Sequence, residues 1–213
     1  MRRPRASRNL LRLVSYTSVS HFGFMVLGIY VFTTQSINGS IFFMVNHGFS
    51  TAALFLTVGY LIKRRGSADI TAFGGVEKLA PVLAGAVLLA VLSAVSLPGM
   101  STFVSEFLVI AGTWSRTPWI AAISATGIVL AATYGLLLYQ RTMTGPVTEA
   151  TAEHFTRRDL SGGERGVLIP IITVLLVFGV LPGPVVSLVE PTAKAAMERM
   201  QVTDPAAPAK GEK

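Results

Sequence analysis

Cysteine is absent from this chain. That excludes a disulfide frame, a thiolate metal centre and a thiol nucleophile. Charge is scarce as well: 14% of residues are charged, whereas a soluble domain carries about 25%. There is no HExxH, no Walker loop, no Gly-x-Gly-x-x-Gly opening a helix and no Gly-x-Ser-x-Gly. Zincin, nucleotide-binding, dinucleotide-binding and serine-hydrolase readings lose their motifs. The three histidines, His21, His47 and His154, are too scattered to form a metal site. Neither a metal nor a cofactor is expected, and no redox site is expected in the chain. The net charge of +7 sits in loops beside apolar runs. That placement fits anionic lipid and membrane topology better than nucleic acid, and no nucleic-acid partner is expected.

Hydrophobic residues, by contrast, make up 51% of the chain. Five apolar segments stand out, at about 13–32, 41–62, 81–114, 119–139 and 167–189. Four are near the roughly 20 residues that cross a bilayer as a helix. Lipid offers the backbone no partners, so each should be helical. The expected fold is all-α: a polytopic membrane domain over 13–189 with about five transmembrane helices. Residues 1–12 form a basic N-terminal segment, read as leading into a retained anchor and not a cleaved signal peptide. Residues 190–213 start helix-compatible, end in Ala, Pro and Lys, and are expected to be largely disordered. Arg2, Arg3, Arg5, Arg8 and Arg12 precede the first segment, Lys63, Arg64 and Arg65 follow the second, and Arg141, Arg157, Arg158 and Arg165 precede the fifth. The positive-inside rule then places the N-terminus in the cytoplasm and the C-terminus outside.

The third segment is too long for one straight crossing and is broken at Leu97-Pro98-Gly99. Proline removes a backbone donor and frees a carbonyl of the preceding turn, and Gly99 turns the chain at low steric cost. Glu106 follows eight residues after Pro98, about 12 Å along a helix. An acid near a broken membrane helix points to ion or proton handling. The competing reading is a structural carboxylate bonded to a neighbouring helix. His47, in Asn46-His47-Gly48-Phe49-Ser50, and His21, in Ser18-Val19-Ser20-His21-Phe22-Gly23, are the other clearly titratable groups at membrane depth. Imidazole can donate and accept near neutral pH. We read His47 as a relay over an interhelical glue residue. For His21 the two readings stand level. His154 falls in a polar loop, where a solvated surface position is expected.

Three motifs carry a resemblance. Tyr16-Thr17-Ser18-Val19-Ser20-His21-Phe22-Gly23-Phe24, Asn46-His47-Gly48 leading into Ala53-Leu54-Phe55, and Leu97-Pro98-Gly99-Met100 followed by Phe103-Val104-Ser105-Glu106-Phe107 resemble, in order, motifs of the antiporter-like subunits of respiratory complex I, the proton-translocating NADH–quinone oxidoreductase. Glutamate at 106, where subunits L and N usually carry lysine, favours the subunit M branch. The resemblance covers about Asn9 to Val189 and only the C-terminal part of the family's fourteen-helix fold, so a partial antiporter-like fold is implied. It implies that Glu106 is the terminal proton-exchange residue, with His47 and His21 on the polar axis leading to it. It also implies residence in the cell inner (plasma) membrane, other complex I membrane subunits as partners, and a chain supplying the missing N-terminal helices. Two other readings remain: a membrane scaffold remnant that moves nothing, and a subunit of a related cation/proton antiporter or membrane-bound hydrogenase.

Overall fold

A computed structural model describes residues 8–155 and 159–206. Arg2, Arg3, Arg5, Arg157, Arg158 and the end of the tail lie outside the described residues. Eight α-helices are found among those described: α1 Leu10–Tyr30, α2 Thr34–Arg65, α3 Pro81–Ala94, α4 Ser101–Arg116, α5 Pro118–Met143, α6 Glu149–Phe155, α7 Gly162–Val180 and α8 Gly183–Arg199. The chain is an all-helical membrane protein. α1, α2, α5 and α7 are long and apolar enough to cross a bilayer.

Two ends of the bundle can be told apart by what they gather. At the Arg65 end, Arg64 bonds Glu164 (2.5 Å) and the carbonyl of Asp159, while the Asp159 carboxylate accepts from the Val82 and Leu83 amides opening α3. At the Thr34 end, the Asp204 carboxylate accepts from the amide and hydroxyl of Thr34 (2.7 and 2.6 Å), and Arg116 donates to the carbonyls of Phe32 and Thr203.

α2 starts seven residues before the expected 41 and has 32 residues. At about 1.5 Å per residue it is longer than the hydrocarbon is thick. Residues 33–40 lie between the first two expected segments and carry no charge. They are helical from Thr34 on because Thr33 and Ser36 close a capping box and because small residues dock the helix tightly. A Cβ on Gly39 would meet Ser105 O and the Val109 amide, and one on Gly112 would meet the Ser36 amide. α2 is thereby clasped against α4.

The fifth apolar segment, expected as one span over 167–189, is divided. α7 starts earlier, on a Ser161–Glu164 capping box, and ends at Val180. α8 begins past Leu181-Pro182. Its Ala193 and Met197 pack on Ile37, with Phe32, Ile41 and Val202 around them. The tail expected to be disordered is therefore helical to Arg199 and tied down as far as Asp204. Apolar burial against the first turn of α2 and the Asp204 cap account for the difference.

The largest apolar cluster fills the Arg65 half of the bundle, from Leu10 and Val14 through Leu54, Leu61, Leu83 and Val87 to Leu168. Outward faces of α1, α5 and α7 expose Tyr16, Val19, Trp119, Ile123, Leu130, Ile169 and Val180. Those faces fit hydrocarbon or further membrane helices, not water.

Candidate functional site

The break in the third segment is built in two steps. α3 ends in a Schellman motif: the Leu97 amide donates to Leu92 O and the Ser96 amide to Ser93 O. Ser96 takes the left-handed conformation (φ 53°) that glycine usually fills at this position. A turn follows, with Met100 N–H on Leu97 O and Gly99 at φ 99°. Pro98 sits at its second position, where a fixed φ suits the turn. Pro98 is thus a corner, not a kink inside a helix. The last carbonyls of α3 are freed by the helix ending. Ser93 O is taken by the Thr102 hydroxyl (2.5 Å) and Ala94 O by His21 Nε2 (3.0 Å). A Cβ on Gly179 would strike Gly99 O, so α7 seats its backbone directly on the break.

His21 and His47 are brought together. Their Nδ1 atoms lie 3.1 Å apart and the rings meet edge to face. Both are buried, at 3% and 8% exposure. The tautomers follow from the partners. A carbonyl only accepts, so His21 Nε2 carries a hydrogen. Neutral His21 must then accept at Nδ1, and His47 must donate from Nδ1. The Thr51 hydroxyl lies 3.2 Å from His47 Nδ1 and 3.3 Å from Nε2; with Nδ1 protonated, it can donate only to Nε2. A proton added at His47 Nε2 would leave the pair's bond intact and could cross to His21 through it. A proton added first to His21 Nδ1 would set two N–H groups against each other.

Glu106 is also buried, at 4% exposure. No direct hydrogen bond links it to either histidine among the described residues. The Ser96 hydroxyl lies beside it, two residues past the carbonyl that His21 holds. The backbone of the break thus joins the histidine pair to the acid. The Tyr134 hydroxyl of α5 is buried as well. Asn46 ties the two halves together: its side-chain amide donates to Ser101 O (3.0 Å) and to Ser105 Oγ (2.6 Å). Asn46 precedes His47 and Ser105 precedes Glu106, so this one side chain sets the register of both.

Buried oxygens crowd this layer. Asn46 Oδ1, Ser50 Oγ, Ser93 Oγ, Ser96 Oγ, Ser101 Oγ and Tyr134 Oη have no well-formed bond to protein. Each such group costs about 1–3 kcal/mol unless something satisfies it. Water is small enough to do so and is commonly found at such groups. The layer is therefore polar. One turn towards the Thr34 end it is capped by a dry cluster of Phe24, Met25, Phe43 and Val109, with Leu27, Ile110 and Ile128 packed on it. Beyond that, an open cavity of about 490 Å³ is lined by Thr33, Asn38, Ser115, Glu190, Lys194 and Asp204, among others. The polar layer and the apolar cluster follow one another along α4, with the cavity further towards its Arg116 end.

Asn46, Ser96, Ser105 and Tyr134 were not singled out from sequence. A signal existed for two of them: Asn46 adjoins a histidine at membrane depth, and Tyr134 lies deep within an apolar run, far from the interface where tyrosine usually collects. His154 is exposed on α6. Among the described residues no three His, Asp or Glu side chains converge as metal ligands.

Residues 6–131 match the family model described as NADH:quinone oxidoreductase/Mrp antiporter, TM. NADH-quinone oxidoreductase subunit M of Mycobacterium tuberculosis is 50% identical over 198 residues, which is 93% of this chain and 35% of that protein. Subunit M of Rickettsia prowazekii is 36% identical over 86% of this chain and 37% of its own length. Among solved structures, a chain of respiratory complex I from Thermus thermophilus with bound NADH superposes with a TM-score of 0.84 at 31% identity, over 91% of this chain and 40% of that one. A chain of an Mrp complex from a Dietzia species gives a TM-score of 0.78 at 18% identity, over 91% and 44%, a likeness of fold alone. The chain spans little more than a third of the length of the curated relatives it matches.

Proposed function

The chain belongs to the NADH:quinone oxidoreductase/Mrp antiporter transmembrane family, and we propose that it forms the outward half of the proton pathway in a subunit M-type module of NADH–quinone oxidoreductase. Glu106 is the terminal proton-exchange group. His47 receives the proton and passes it to His21. The hydrated hydroxyls around Ser96 carry it from the histidine pair to the acid. The observation that carries this reading is the buried His47–His21–Ala94 chain ending two residues from Ser96, beside Glu106. Redox chemistry takes place elsewhere in the complex. The N-terminus faces the cytoplasm, the Thr34 end faces outwards, and the membrane is the cell inner membrane. Other complex I membrane subunits are the partners, one of them supplying the helices that precede α1 in longer relatives.

Glu106→Gln in the assembled complex tests this. It keeps the shape and removes the exchangeable proton, so the number of protons moved per electron should fall. An unchanged ratio would sink the proposal.

A second reading, a scaffold that packs in the membrane and moves nothing, is favoured by one observation. Among the described residues, His21, His47 and Glu106 are the only buried ionisable side chains, so no further one leads from them towards the Arg65 end in what is described.

A further inference from the structure

α2 and α4 run antiparallel along a close seam. Gly112 approaches Ser36, Gly39 approaches Ser105 and Val109, and Asn46 reaches Ser101 and Ser105, so the numbering rises along α2 as it falls along α4. The glycines let the backbones touch, but such contacts carry no direction. Direction comes from the fully buried Asn46. Its side-chain amide donates to Ser105 Oγ at 2.6 Å and to Ser101 O at 3.0 Å, and Ser105 Oγ donates to the same carbonyl at 3.1 Å. Ser101 O is thus served without Asn46, and the Asn46 oxygen has no protein partner. An apolar side chain in the seam would spare that orphaned oxygen. Satisfying the backbone is therefore not what Asn46 is needed for.

Successive residues of a helix are turned by about 100°. Across an antiparallel pair, one such step on each helix leads to the same side of the seam. His47 follows Asn46 and Glu106 follows Ser105, so the two titratable side chains share a side and differ little in depth. α1 lies along that side. Its Phe24 and Met25 pack on Phe43 and Val109, about one turn from His47 and Glu106, and its His21 meets His47. We propose that Asn46 is a positioning residue for proton transfer: its bonds to α4 keep α2 from sliding or turning, and so hold His47 and Glu106 at the separation the proton must cross. A slip of one turn along the seam would part them by about 5 Å. The role rests on the proton-pathway reading given above. It gives a side chain that never carries the proton control over the geometry of those that do.

Asn46→Leu in the assembled complex is the test, since it keeps most of the bulk and removes the donor. Proton translocation per assembled complex should fall about tenfold or more, because displacing reacting groups by about 1 Å can cost about a hundredfold. The infrared C=O stretch of protonated Glu106, identified as the band lost in Glu106→Gln, should shift, because the surroundings of the acid change with the register. A role in stability alone would lower the melting temperature and leave both readouts as they were. Ser105→Ala removes the same bond from the α4 side and should also lower translocation; it decides the matter if Asn46→Leu fails to assemble. Thr57→Val, which loses a buried hydroxyl bonded within α2, should change neither readout. If Glu106→Gln abolishes pumping while Asn46→Leu, or Ser105→Ala in its place, translocates like the parent, this inference is overturned and the pathway stands. If Glu106→Gln pumps normally, the pathway falls and this role falls with it.

Discussion

His21 is held on both sides, by His47 Nδ1 at 3.1 Å and by the Ala94 carbonyl at 3.0 Å. The second bond decides the direction of the first. A carbonyl left by the end of a helix orients a histidine, and that histidine in turn orients the next. The break in the third segment is therefore more than a site of flexibility, because its freed backbone fixes the protonation pattern of the layer.

The two histidines should consequently differ in what their loss does. His21→Phe removes both bonds and leaves Ala94 O buried without a donor, which costs about 1–3 kcal/mol. His47→Phe leaves the His21–Ala94 bond in place. Both variants should lower the proton-to-electron ratio, but His21→Phe should lower the thermal stability of the assembled complex more. Equal stabilities would show that the Ala94 bond does not anchor the pair.

The plug above the polar layer gives a separate expectation. Val109 is fully buried among Phe24, Met25 and Phe43, between the Glu106 layer and the open mouth. Apolar constrictions close a pore by dewetting. Val109→Thr is nearly the same shape but brings a hydroxyl into the constriction, so it should raise the passive proton leak of membrane vesicles in the absence of turnover. A leak equal to that of the parent would mean that the exit does not run through this cluster.

Much of this arrangement was legible in the sequence, though unevenly. Glu106, His21 and His47 stand out because an ionisable group in an apolar run needs a reason, and the structure buries all three in one layer. Asn46 and Tyr134 escape notice because a small polar or aromatic residue on a membrane helix has many harmless roles, and only the facing helix shows which applies. The start of α2 was obscured because Ile37-Asn38-Gly39-Ser40 reads locally as a turn. Its helicity comes from the Thr33–Ser36 cap and from Gly39 closing on Ser105. The sequence marks the break at Leu97-Pro98-Gly99, and the structure starts it one residue earlier, at Ser96, whose left-handed backbone no composition rule marks. The split of the fifth segment at Leu181-Pro182 was open to view, yet apolar residues on both sides concealed it.

Outside the membrane, the loop joining α2 to α3 should respond to acid. The Asp69 carboxylate accepts from the Thr71 amide (2.9 Å) and hydroxyl (2.8 Å), and these bonds hold its pKa below the ordinary value, amide first. A depressed carboxylate contributes stability above its unfolded pKa and loses it as pH falls through the folded value. Hydrogen exchange at the Thr71 amide should therefore be slow near neutral pH, after correction for the intrinsic rate, and quicken only below the usual carboxylate range. Asp69→Ala should remove the pH dependence. Protection of Thr71 that persists in that variant would assign the turn to its backbone bonds alone.

The tightest backbone contact at the break yields the sharpest mutational test. Gly179 of α7 faces the Gly99 carbonyl so closely that any Cβ there must displace one of the two segments. Neither can yield easily: Gly99 is locked in its turn, and α7 is anchored at its other end by the Arg64–Glu164 pair. Overpacking of this kind costs about 1–3 kcal/mol. Gly179→Ala should thus destabilise the assembled complex by that amount and, by shifting the loop that carries Ser96, lower proton translocation as well. Gly163→Ala, on the same helix with open space around it, should do neither. If both alanine variants behave alike, the contact between α7 and the break has no part in shaping the site.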